Sequence, residues 1–216
     1  MVLRGDMALE LGGDLKPAIG CTVCTTSKNL IASDEIIVCG PDILTTPNNC
    51  SYCRIALVQI DDTTLGTGDK LYNAIHSIEY FRYHVFPEGF MMRVSASSGR
   101  ESVRVSKEAV KCGVTFEQIG NLMINELHKN KLVRAAKIIF ITDQNAPYQR
   151  IQKNAELTNK ITNTIDHMLK DAKMDCTTCS LSEVCDEVEG LKELHFGISS
   201  KSDGKPAKNS TKLGKI

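Results

Sequence analysis

Val103-Arg-Val-Ser-Lys-Glu-Ala-Val-Lys-Cys-Gly-Val-Thr-Phe-Glu-Gln-Ile-Gly120 is the stretch that decides the fold. It changes period twice in eighteen residues. Ser102 to Val105 alternates as a strand, and Ser106 opens a short helix that Gly113 stops. Thr115 with Gln118 then forms a capping box, in which a hydroxyl and an amide satisfy each other's backbone N–H groups. The helix it opens, Phe116 to His128, carries an apolar stripe of Phe116, Ile119, Leu122, Met123 and Leu127. A strand feeding two capped helices implies a mixed domain with a sheet.

Working outward, the next strand is Lys137 to Ile141, followed by Pro147 and a long helix over Tyr148 to Lys173. Upstream, Phe90 to Val94, Arg54 to Ile60 and Glu35 to Cys39 read as strands. Lys70 to Phe81 has Leu71, Ile75 and Ile78 at helical spacing. Residues 1–35 are weakly periodic, with a short helical turn expected at Asn29 to Ala32. The fold class is α+β, with a mixed sheet and packed helices. The expected divisions are a domain over 1–172, a cysteine-rich segment over 173–197 and a disordered lysine-rich tail over 198–216.

Composition excludes several functions. The 216 residues are 42% hydrophobic and 24% charged, and 26 basic side chains balance 26 acidic ones. Zero net charge argues against a general nucleic-acid binder. No apolar run is long enough to span a membrane, and no charged-then-apolar leader precedes residue 6. The expectation is a cytoplasmic chain with no nucleic-acid or membrane partner. Phosphate-loop, dinucleotide, serine-hydrolase and zinc-protease signatures do not occur.

Cysteine is the outlier, at nine. An odd count in a reducing compartment points to thiols or metal ligands rather than a disulfide framework. Cys176-x2-Cys179-x5-Cys185 puts three thiolates within ten residues. That run suits a 4Fe-4S cluster or zinc. His195 is the expected fourth ligand, because imidazole binds iron and zinc. The plainer alternative is three buried thiols. Cys21-x2-Cys24 and Cys50-x2-Cys53 resemble two zinc knuckles, each expected in a turn, so a four-thiolate zinc (or iron) site is expected there; separate thiols or a redox pair are the alternatives. Cys39 and Cys112 are assigned to packing. His76, His84, His128 and His167 read as surface or capping residues. His128, with Lys129 and Lys131, suits the negative end of a helix dipole.

The order of several stretches resembles the acetyl-CoA synthase component of the carbon monoxide dehydrogenase/acetyl-CoA synthase complex. The pieces are Arg4 to Gly13, Glu35-Ile-Ile-Val-Cys-Gly-Pro-Asp-Ile43, Ile55 to Ile60, the opening stretch 103–120, and Ala136 to Asp143. The long helix and the cysteine run follow in the same order, so the resemblance covers roughly residues 4–197. It implies the fold of that family's central domain, followed by a run that holds a 4Fe-4S cluster bridged to nickel. Cys176, Cys179 and Cys185 resemble the first three ligands of that run. His195 stands where a fourth cysteine is expected. The resemblance also implies coenzyme A contacts at Arg104 and Lys107; the plainer reading is surface charge at a helix start. No Cys-Gly-Cys segment, the family's second nickel ligand set, occurs in the sequence.

The expected function is therefore a metal-binding, iron–sulfur, acetyl-CoA synthase-like subunit or accessory without the full nickel site. It would be an acyltransferase by resemblance, not competent alone, and partnered by carbon monoxide dehydrogenase, a corrinoid protein or a redox protein. An electron-transfer module and a zinc-stabilised scaffold are the alternatives.

Overall fold

A computed structural model of the chain describes residues 7–13, 15–61, 69–85, 87–94 and 100–170. The cysteine run and the tail lie outside them. The order is β1 (Met7–Leu11), β2 (Ala18–Thr25), β3 (Glu35–Cys39), β4 (Tyr52–Ile60), α1 (Asp69–Glu79), a 3-10 turn (Tyr80–Tyr83), β5 (Phe90–Val94), β6 (Glu101–Ser106), α2 (Lys107–Lys111), α3 (Phe116–Leu127), β7 (Val133–Ile141) and α4 (Tyr148–Lys170). The expected strands and main helices all form. Two strands, β1 and β2, occupy the part of the N-terminal stretch read as weakly periodic, and residues 28–30 make a turn rather than a helical segment.

The strands build two sheets. β1, β6 and β5 form an antiparallel three-stranded sheet. The four-stranded sheet runs β2-β4-β7-β3 and is mixed: β2 is parallel to β4, β4 antiparallel to β7, and β7 parallel to β3. Alternation along each strand decides which side chain enters which layer. Tyr52, Ala56, Val58 and Ile60 of β4 meet Leu9, Leu11, Val103, Val105 and Phe90 of the smaller sheet, with Phe116, Ile119 and Met123 of α3 in the same core. The rings of Phe116 and Phe140 stack at 4.7 Å. Gly120 permits α3 to lie on β3, because a Cβ there would come within 2.9 Å of the Ile36 side chain. The opposite face of the four-stranded sheet packs Ile19, Cys21, Cys53 and Ile141 under Tyr148, Ile151 and Ala155 of α4.

The capping box of α3 is present in both directions, Thr115 to Gln118 and back. Ser106 caps α2 by accepting from the Ala109 N–H. The chain divides into a unit over Met1–Thr162 and another over Asn163–Ile216. The described part of the second is the final turns of α4. Among the described residues no helix is long and apolar enough to cross a membrane.

Candidate metal centre

β2 carries Cys21 and Cys24, three positions apart on an extended strand. Odd spacing sends their side chains to opposite faces of the sheet. Cys21 enters the layer beneath α4, whereas Cys24 packs against the core between the two sheets. The same parity separates Cys53, beneath α4, from Cys50, in the larger core. Cys53 pairs in register with Ile19, and Cys24 with Val58, five positions along β4. At ~3.3 Å per residue that offset is about 16 Å. The four thiols therefore do not converge. Among the described residues, no group of three or more His, Cys, Asp or Glu side chains is placed to hold a metal ion. The structure places Cys21 and Cys24 on β2, Cys50 just before β4 and Cys53 on it, and does not bring the four thiols together.

Burial, opposed by the Arg54 charge, raises the Cys53 pKa to about 12. Burial and the Glu79 carboxylate bring Cys24 to about 12 as well. Burial also raises Cys21 and Cys50. Without a bound ion, burial favours the neutral thiol at each of the four positions. The six cysteines at 21, 24, 39, 50, 53 and 112 are free of disulfides. Cys39, at the end of β3, and Cys112, the C-cap of α2, are exposed, which corrects their assignment to packing. Cys176, Cys179, Cys185 and His195 lie outside the described residues.

Arg104 and Lys107 differ in kind. Arg104, on β6, is buried, and its Nε donates to Glu10 Oε1 at 3.0 Å across the β1–β6 pair. That charge is matched within the fold. Lys107, the first residue of α2, is exposed. His128 is the C-cap of α3, and its Nε2 lies 2.8 Å from Asp34 Oδ2. Asp34 Oδ1 also accepts from the Ala136 N–H, so one carboxylate ties the end of α3 to β7. His84 is exposed. Its side chain lines a shallow cleft of about 250 Å³ with Ser77, Phe81, Glu126, Lys129 and Asn130.

Sequence reasoning missed the most buried charges in the domain. Arg54 Nε and Nη2 donate to the two Glu101 carboxylate oxygens at 2.6 and 2.7 Å, with both side chains fully buried. Nη1 donates to the Cys21 carbonyl at 3.3 Å, and the guanidinium lies 5.3 Å from the Phe81 ring centroid. Burial pulls the Arg54 pKa down, but the charge and hydrogen bonds of Glu101 outweigh it, and the net shift is upward. Gly20 makes the room: a Cβ there would meet Glu101 Oε2 at 2.3 Å. A glycine inside an apolar strand was the available signal, since it marks close approach by another group.

These features define an α+β domain of two packed sheets, with its buried ion pair used as structure rather than as an open reaction centre. The family described as the CO dehydrogenase/acetyl-CoA synthase complex beta subunit matches residues 1–146, and the chain belongs to that family. The match covers all seven strands and α1 to α3. No curated protein matches the chain.

Proposed function

We propose that the chain is an iron–sulfur-binding, acetyl-CoA synthase-like subunit or accessory of carbon monoxide and acetyl-CoA metabolism. Its metal is held by Cys176, Cys179, Cys185 and His195. Family membership supports the relationship, and the family is a component of a multi-subunit complex. The observation that carries the metal assignment is the donor set. Three thiolates in ten residues, followed by an imidazole, make four soft or borderline ligands in one short stretch. The sheet holds the N-terminal thiols apart, Cys21 and Cys53 on one face and Cys24 and Cys50 on the other. When bound, a cluster supplies one-electron chemistry at a potential that the histidine ligand raises. Lys107 is an exposed cation that can meet a phosphate-bearing ligand such as coenzyme A, and Arg104 is held by Glu10.

Anaerobic purification of the full chain with iron, sulfide, zinc and nickel analysis tests the reading. Roughly four iron and four sulfide per chain are expected. His195→Ala weakens metal retention, whereas His128→Ala, at the end of α3, leaves it unchanged. Zinc without iron overturns the iron–sulfur assignment, and equal retention in both variants removes His195 from the ligand set.

A further inference from the structure

The register of β2 and β4 joins two thiols that the sequence places in separate motifs. Cys53 lies opposite Ile19, and Cys21 opposite Ile55. Residues two apart along a strand share a face, so Cys21 and Cys53 are diagonal neighbours on one side of the sheet. Both lie in the apolar layer beneath α4, at 5% and 0% exposure. Strands ~4.8 Å apart and a rise of ~6.6 Å over two residues put diagonal Cα atoms roughly 8 Å apart. A disulfide spans at most ~7 Å between Cα atoms, so none can close here while the strands stay paired. A single ion reaches further. At ~2.3 Å from each thiolate it separates the two sulfurs by as much as about 4.6 Å.

The donor count decides which ion fits. Structural zinc and iron–sulfur clusters each take four protein ligands. Among the described residues no third His, Cys, Asp or Glu joins this pair. The layer around it is apolar, with Ile19, Ile141, Ile151 and Ala155. Cu(I) is a soft ion that thiolates select over harder metals, and two sulfurs on opposite sides satisfy it. Two groups favour the anionic sulfurs that such an ion needs. The Thr158 hydroxyl, on α4, hydrogen-bonds Cys21. Arg54, whose Nη1 donates to the Cys21 carbonyl at 3.3 Å, acts on both sulfurs. Burial opposes ionisation of the two thiols, and the Arg54 charge favours it. Binding one Cu(I) releases both thiol protons and leaves one negative charge in the field of that guanidinium.

We infer that Cys21 and Cys53 form a buried two-thiolate site for one Cu(I) ion, enclosed between the four-stranded sheet and α4. The site is separate from the donors at Cys176, Cys179, Cys185 and His195 and does not rest on them.

The full-length chain carrying Cys176→Ala, Cys179→Ala and Cys185→Ala isolates the domain thiols. Anaerobic titration of this chain with Cu(I) held by bicinchoninate, a competing chelator, tests the pair. Uptake of a single equivalent is expected, with two sulfur neighbours in X-ray absorption, and the urea midpoint rises on loading. Adding Cys24→Ala/Cys50→Ala, the thiols of the other face, leaves both the uptake and the rise in place. Adding Cys21→Ala or Cys53→Ala abolishes both with an unchanged far-UV spectrum, since one sulfur cannot hold the ion against the chelator. Cys21→Ser, nearly isosteric, gives the same loss where an alanine variant alters that spectrum. Retained uptake in the Cys21 and Cys53 variants overturns the assignment, as does its loss on replacing the exposed Cys39 and Cys112 instead. Absence of uptake in the starting chain also overturns it, whatever iron the parent carries.

Discussion

Arg54 and Glu101 are the residues on which the domain's internal geometry turns. Each is fully buried, each has lost its water, and each finds its counter-charge 47 positions away in sequence on the other sheet. Pairing returns much of the desolvation cost only because the contact is bidentate and Cys21 takes a remaining donor. Removing one partner strands the other charge. Arg54→Met or Glu101→Leu alone is expected to destabilise by about 3–5 kcal/mol. Arg54→Met/Glu101→Leu, which removes both charges, recovers most of that loss. Urea unfolding of the four proteins measures the coupling. A double variant no better than the worse single would show that the pair acts through packing rather than charge. Gly20 hints at a close approach but names no partner: Arg54 reads as the first residue of an apolar strand, and Glu101 lies beyond the helix α1.

At the scale of elements, legibility followed the length of the local signal. The capping box of α3 was readable because Thr115 and Gln118 are three residues apart and satisfy only each other. Thr115→Ala is expected to cost about 1 kcal/mol, and Thr115→Ser much less; thermal or urea midpoints check both. An alanine variant with the parent's midpoint would mean that Asp42, which accepts from the Phe116 N–H at 2.9 Å, caps the helix alone. β2 was not readable. Its first five residues are buried on both faces, so the polar–apolar alternation of a half-exposed strand is absent. Gly20 also lowers its apparent strand propensity. Missing β2 put Cys21 and Cys24 in an expected turn, whereas on a strand their spacing sends the two side chains to opposite faces. The histidines fared better in part. His128 was placed correctly at the end of α3, but its Asp34 partner, 94 positions away, required the fold.

For the whole molecule, the question is whether metal and fold are one system. A structural zinc inside the domain would make them so, since a thiolate site contributes its binding energy to folding. The unit over Met1–Thr162 has an apolar layer on each face of the four-stranded sheet, and its buried thiols are divided between the two. The family match over 1–146 ends before the cysteine run begins at Cys176. Two variants separate the possibilities. Cys50→Ala, at a position 4% exposed in the larger core, is expected to lower stability by about 1 kcal/mol through lost packing while retaining the full metal content. Cys179→Ala is expected to release the metal and leave the urea midpoint of the domain where it was. Chelation of the parent chain under anaerobic conditions should match the second variant. Loss of metal and loss of midpoint in the same variant would mean that the metal is part of the fold, and that thiols the sheet holds apart meet in a state of the chain other than this one.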